Sequence, residues 1–323
     1  MPRASRLLTP GAAIRHVEVA KSKRIYKETP VLELLGIQDE LQARLEWCER
    51  LGKTMDAGER VLLREAIHEI KHRPGADVDI AREEFRKRNR IWSYFPDEGP
   101  LRRELYPRHM EFIGHTADSD EVMMIAANKI GKSLLGAYCI TCWTTGRYPP
   151  WWHGRRFEYP TTFWIANKSA KDVRDINERE LLGPPGDTAA QGTAMLPGHL
   201  IAKTTPKAGI PNGFEFIHVK HVSGGTSYIV SKSYDQGRTA FEGRNIDGLW
   251  DDEELPREIY DEQFMRIMTP PIRDRQPGIN GIIIVTYTPI LGLTPMTEWF
   301  MEESGFSIEA MRGTLESRTQ DSA

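Results

Sequence analysis

MMIAANKIGKS, residues 123–133, runs directly into LLGAYCITCW. The first part is a short apolar run of the kind that forms a buried strand, and the part after Ser133 reads as helix. Between them stand Gly131, Lys132 and Ser133. Strand, tight loop, Gly-Lys-Ser and helix together are the context of a phosphate-binding loop, whose amides and helix N-terminus face the β- and γ-phosphates of a nucleotide. In that reading Ala126, Ala127, Asn128, Lys129, Ile130 and Gly131 form the cradle. Lys132 neutralises phosphate charge, and Ser133 ligates Mg2+ through its hydroxyl. The usual pattern opens with a glycine where this chain has Ala126, and alanine fits there only with a negative φ. Gly-Lys-Ser by itself recurs as an ordinary helix cap, so the remainder of the chain must agree with it.

Composition sets the bounds. The chain has 323 residues, 39% apolar and 28% charged, enough for one large domain or for two. A formal charge of −3 creates no global basic field, so any contact with nucleic acid must come from local patches. Three cysteines, Cys48, Cys139 and Cys142, exclude a disulfide framework and suit a reducing compartment. No apolar run approaches the length of a membrane span, and no membrane partner is expected. Residues 1–28 are polar and basic without a long apolar core, and read as a flexible arm rather than a signal peptide.

Residues 29–93 read as a helical N-terminal region. Pro30 sits near the first helical position of LELLGIQDELQARLEWCERLG. A second helix fits the stretch from Asp56 to the stop at Pro74-Gly75, and a third runs through IAREEFRKRNRIW. From Tyr94 the texture becomes rich in aromatics and prolines. Strand-like runs then follow at 121–127, 162–167, 214–219, 226–232, 246–252 and 280–288, with helical stretches at 132–146, 170–182 and 256–268. Strands alternating with helices predict an α/β fold with a mostly parallel central sheet flanked by helices. Residues 183–198, GPPGDTAAQGTAMLPG, read as a long mobile loop.

LWDDEE, Leu249 to Glu254, closes an apolar run. An acidic pair at the C-terminal edge of a parallel strand is where such a sheet holds a metal and a water. Asp252 is assigned to the Mg2+ shell and Glu253 to the general base. Asp251 and Glu254 receive no role. Four acids in a row are more often a solvated turn, but these follow the Gly-Lys-Ser loop in a strand–helix context. Thr286 and Thr288 end the most apolar strand, IIIVTYTP, where hydroxyls can sense a γ-phosphate. Threonine at that place is equally explained by β-propensity.

Taken together, FPDEGPLRRELYPRHMEF, AANKIGKS, SYDQGRTAFEG, LWDDEELP and TYTPILGLT, in this order, resemble the ATPase half of tailed-phage terminase large subunits, the DNA-packaging motors. The resemblance spans roughly residues 94–300. It implies a P-loop NTPase of the ASCE, RecA-like type over residues 94–323, using ATP and Mg2+ to move double-stranded DNA into a procapsid. The implied partners are the portal protein and the small terminase subunit. The chain is expected to be a monomer in solution and a homo-oligomeric ring, a pentamer, when docked. Its expected place is the host cytoplasm and transiently the portal, outside the mature virion. The family's Asp-Glu-Glu-Pro stretch matches Asp252, Glu253 and Glu254, with Leu255 inserted before Pro256. Its Thr-x-Thr-Pro coupling motif matches Thr286 to Pro289. Many members carry an arginine inside the P-loop as a cis finger. Here Asn128 and Lys129 stand there, and Lys129 supplies charge without a bidentate fork. Tyr94 and Phe95 precede the loop as an adenine-stacking segment does in related motors, although aromatics before a strand also serve as core. Members normally continue into an RNase-H-like nuclease. No carboxylate cluster follows Thr288, so no nuclease activity is expected from these residues.

Other patterns are weaker. His68-Glu69-Ile70-Lys71-His72 matches HExxH, but Leu62, Leu63, Ala66, Ile67 and Ile70 make the apolar stripe of that helix and put both histidines on its polar face. Cys139 and Cys142 share the apolar face of the helix after the P-loop and read as core. Lys203, Lys207, Lys220 and Lys232 are candidate DNA-phosphate contacts. Arg238, Arg244, Arg155 and Arg156 are candidates for an arginine finger offered to a neighbouring subunit. Two other classes of function fit the same motifs. One is a helicase-like or remodelling ATPase, and the other is a degenerate P-loop module that binds nucleotide as a switch.

Overall fold

In the computed structural model, residues 26–289, 292 and 294–303 are described. Residues 1–25 of the expected arm lie outside them. Residues 26–28 are helical, and Tyr26 is buried among Leu34, Leu35, Ala66, Ile70 and Val78. The expectation of a flexible arm reaching residue 28 is corrected there, because this aromatic ring covers an apolar seam between helices.

Three helices come first: α1 (Val31–Arg50), α2 (Ala57–Lys71) and α3 (Gly75–Arg88). Asp56 caps α2, its carboxylate accepting from the amides of Gly58 and Glu59. Pro74 and Gly75, expected only to end that helix, instead begin α3, where a proline without an N–H is tolerated. The three helices hold on to the rest of the chain by ion pairs. Asp39 accepts from Arg147 and from His199, Arg50 pairs with Glu158, and Lys220 reaches Glu40 at 2.8 Å.

After α4 (Pro107–His115), a mixed sheet of seven strands is flanked by helices. Its strands are β1 (Glu121–Ile125), β2 (Thr162–Asn167), β3 (Ile201–Pro206), β4 (Phe214–Lys220), β5 (Thr226–Ser233), β6 (Gly248–Asp252) and β7 (Ile282–Tyr287). The order is β1-β7-β6-β2-β5-β4-β3; the first five run parallel, β4 runs antiparallel to β5, and β3 antiparallel to β4. β3 was not visible in the sequence. It is an edge strand whose residues are exposed or half-buried, so it has no apolar run to announce it. The stretch at 183–198 is packed at its end rather than free, because Ala194, Met195 and Leu196 are buried and the amides of Met195 and Leu196 bond to Glu180 and Leu181.

Alternation along the central strands makes two cores. Phe163, Ile165, Trp250, Ile282 and Ile284 face α5 (Lys132–Thr145). Trp164, Leu249, Ile283, Val285 and Tyr287 face α7 (Arg257–Ile267), which follows α6 (residues 170–182) in the chain. α8 (Pro295–Glu303) packs beside α7, with Trp299 and Phe300 on Tyr260. Among the described residues no helix is long and apolar enough to cross a membrane.

α5 comes close to the sheet at Gly136, where a Cβ would stand 2.2 Å from the Trp250 ring. Gly136→Ala is therefore expected to overpack the core, costing ~1–3 kcal/mol and lowering the melting temperature by several degrees in a thermal unfolding scan.

Candidate active site

The loop after β1 begins on the sheet, where the Ala126 amide bonds to the Tyr287 carbonyl at 3.2 Å. Ala126 is not among the residues with positive φ, so alanine is accommodated at the first position of the loop. The left-handed conformations fall instead on Lys129, with φ 64°, and Gly131, with φ 89°. Lys132 opens α5 and folds back over the loop. Its Nζ donates to the carbonyls of Ala126 (3.0 Å) and Ala127 (2.8 Å) and to Thr288 Oγ1 (2.7 Å). Thr288 in turn donates to Asn128 Oδ1 at 2.8 Å. Burial lowers the Lys132 pKa, against the attraction of Glu253 and Asp252.

The acidic stretch arrives from β6, two strands away. Asp252 Oδ2 accepts from Ser133 Oγ at 2.9 Å, and its Oδ1 accepts from Thr286 Oγ1 at 2.7 Å. The Trp250 indole donates to the same Thr286 oxygen at 2.8 Å and fixes its direction. Burial pushes Asp252 up to about 6 despite the Thr286 and Ser133 hydroxyls. Glu253, with φ 88°, turns the chain out of the sheet, and its Oε2 lies 3.3 Å from Lys168 Nζ. Asp251 and Glu254 stand elsewhere. Asp251 is buried on the α7 side, accepting from Gln263 at 3.0 Å, and Glu254 accepts from Thr294.

Lys132, Ser133, Asp252, Glu253, Thr286 and Thr288 thus meet at the C-terminal ends of three adjacent parallel strands. Two neighbours were missed in the sequence. Lys168 follows β2, and His109 on α4 lies beneath the loop, its Nε2 3.4 Å from where a Gly131 Cβ would be. No motif marks Lys168, and the stretch FPDEGPLRRELYPRHMEF contains His109 without singling it out; each reaches the site through the chain's path rather than through local spacing.

Phe95 does not join them. It is 1% exposed and ringed edge-on by Tyr106, Tyr138 and Trp151, so it is a core residue here and offers no face to a base. Tyr94 and Phe95 line a cavity of about 1010 Å³ whose walls include Arg147 and Tyr148, just beyond the C-terminal end of α5. No P-loop residue lines it, and between the Phe95 ring and the loop stands His109, 6.0 Å from that ring and packed against Gly131. The expected stacking role of Phe95 is corrected by its burial, whereas Tyr94 is half-buried with its hydroxyl on Arg90.

Several charged candidates are committed elsewhere. Arg155 is 7% exposed and bonds to carbonyls of Thr116, Ser119, Asn280 and Gly281 and to Asp120, which makes it an internal staple. Arg156 lies over the Tyr148 ring, and Arg238 pairs with Glu242 and Glu262. Lys207 donates to Ser231, Lys232 to Ala240, and Lys220 to Glu40. Lys129, Lys203 and Arg244 are exposed, with no hydrogen-bond or ion-pair partner among the described residues. His68 and His72 are exposed on α2 and stack on each other at 4.0 Å, whereas Cys139 and Cys142 are fully buried.

Residues 123–322 match the family model described as "Terminase large subunit, T4likevirus-type, N-terminal". The chain belongs to the terminase large-subunit family. It is similar to the terminase large subunit of Salmonella phage P22, with 29% identity over 227 residues. That alignment covers 65% of this chain and 44% of the relative, so the chain spans under half the length of the curated relative it matches. No solved structure matches it.

The pKa of Asp252 gives a prediction for the metal-free protein. Its folded value, about 6, lies above the unfolded value of 3.8, so the buried charge destabilises the fold above about pH 6 and the penalty disappears as pH falls toward 4. Asp252→Asn is expected to raise stability at pH 8 by about 2 kcal/mol, with the gain closing as pH is lowered through 6, as read by denaturant unfolding at each pH.

Proposed function

We propose that this chain is the ATPase motor part of a terminase large subunit, hydrolysing ATP to drive double-stranded DNA into a procapsid. The observation that carries the reading is the Ser133–Asp252 hydrogen bond, 2.9 Å, beneath a lysine bound to Thr288. A hydroxyl at the start of a helix and a carboxylate at a strand end, brought together from 119 positions apart, form the oxygen-rich corner that suits Mg2+. The buried Lys132 ammonium, held on loop carbonyls, has the reach to exchange them for phosphate oxygens. Mg2+, when bound with ATP, would neutralise phosphate charge at this corner.

Each residue then has one task. The loop amides from Ala126 to Gly131 cradle phosphate, and Lys132 holds the β- and γ-phosphates. Ser133 and Asp252 would hold the metal. Glu253, directly after β6, takes a proton from the attacking water. Thr286 and Thr288 connect metal carboxylate and lysine through one strand, which suits a sensor of the γ-phosphate. The interposition of β7 between β1 and β6 supports the ASCE assignment. Residues 29–93 are proposed as a separate helical region and 94–323 as the motor. Lys129 is the candidate cis charge, and Arg244, exposed before β6, is the remaining arginine for a neighbouring subunit.

By family, the partners are double-stranded DNA, the portal protein and the small terminase subunit. The assembly is a ring, a pentamer, on the portal, and a monomer away from it, in the host cytoplasm.

Glu253→Gln is the test. It should leave ATP affinity within about two-fold and reduce turnover by roughly 10²-fold or more. Turnover at the wild-type rate would remove Glu253 as base, and DNA-independent binding without any turnover in the wild type would favour a nucleotide switch.

A further inference from the structure

Among the described residues Glu253 is one of four non-glycine residues with positive φ, at 88°, a conformation that persists only when surrounding groups hold it. Its amide is held by the Thr286 carbonyl at 2.8 Å. Its carbonyl accepts at 3.2 Å from the hydroxyl of Tyr234, a residue 7% exposed. Tyr234 belongs to SYDQGRTAFEG at the end of β5, where Arg238, the finger candidate, is committed to Glu242 and Glu262. That stretch is itself rigid at this point. Ser233 and Gln236 form a capping box around the turn, and the Asp235 amide bonds to the Lys168 carbonyl at 3.1 Å. Lys168 is also the residue whose ammonium lies 3.3 Å from the Glu253 carboxylate.

We propose that Tyr234 is a positioning residue for Glu253: its hydroxyl clamps the main chain of the catalytic glutamate in a left-handed conformation and so aims the carboxylate at the water site. The proposal rests on the assignment of Glu253 as general base. The logic is geometric. Rotation about φ of Glu253 would swing the Cα–Cβ bond, and with it the carboxylate, relative to the loop. The Thr286 contact holds the peptide before Glu253 and the Tyr234 contact holds the peptide after it, so together they fix both. The Tyr234 ring packs in the apolar layer with Trp164, Phe241 and Leu249; its hydroxyl also faces the Ala166 carbonyl at 3.5 Å and the Asp251 carboxylate, and the Glu253 carbonyl is the nearer of the two main-chain acceptors. Burial raises the phenol pKa far above neutrality, so the group remains a donor throughout the working range.

Tyr234→Phe removes the hydroxyl and keeps the ring. The expected result is a fall in kcat of roughly ten-fold or more, with KM for ATP and the affinity for a non-hydrolysable analogue within about two-fold. Because the ring and its packing are kept, the melting temperature should fall by no more than a few degrees. Tyr234→Ala, which also empties ring space, should lose stability as well and serves to separate packing from aim. In Glu253→Gln, adding Tyr234→Phe should change residual turnover by less than two-fold, because nothing remains to be aimed. An unchanged kcat in Tyr234→Phe alongside a dead Glu253→Gln would overturn this proposal alone. Loss of analogue binding in step with kcat would overturn it too, as it would show a structural role. An active Glu253→Gln would instead remove the base assignment on which the proposal stands.

Discussion

One hydrogen-bonded line across the sheet sets the rest of the site. Met124, Thr286 and Asp252 lie opposite one another on β1, β7 and β6. Because the three strands are parallel, their C-terminal ends finish at one edge, and whatever follows each strand emerges on the same side. The phosphate loop follows β1, the Thr288 turn follows β7 and Glu253 follows β6. A one-residue slip between β7 and β6 would turn Thr286 away from Asp252, and the carboxylate would lose one of its two hydroxyl donors. The isoleucine- and valine-rich run of β7, buried on both faces, resists that slip.

The same edge carries a burden. Asp252 is 3% exposed and Lys132 9%, so both are charges held largely out of water. Hydroxyls satisfy Asp252, and loop carbonyls satisfy Lys132. These are partners that a metal and phosphates can displace without breaking the fold. Asp251 is treated differently. It faces the opposite side of β6, with Gln263 from α7 as donor, and lies away from the loop. Adjacent acids in one motif are separated by the pleat of the strand alone.

Much of this was legible in the sequence. The strands with continuous apolar runs were visible, as was the Gly-Lys-Ser loop between a strand and a helix. The acidic stretch and the Thr-Tyr-Thr-Pro turn were placed at strand ends correctly. The edge strand β3 was not visible, because an exposed strand carries no apolar signal. Phe95 was given a ligand-facing role because an aromatic ring reads the same in the sequence whether it stacks on a base or fills a core. Lys168, His109 and Tyr234 come from other parts of the chain, and only the path of the chain brings them to the loop. Arg155 illustrates the reverse: a free charge in the sequence is, in the fold, a staple for carbonyls of two distant turns.

The central claim is that Ser133 and Asp252 form one metal corner. It is tested most directly by the Mg2+ dependence of binding for a non-hydrolysable ATP analogue, measured by calorimetry in the wild type, Ser133→Ala, Asp252→Ala and the double variant. The account predicts that Mg2+ tightens binding in the wild type, that each single variant loses most of that gain, and that the double variant loses little more than either alone. Equal tightening by Mg2+ in all four proteins, or losses in the singles that simply add in the double, would contradict a shared metal site.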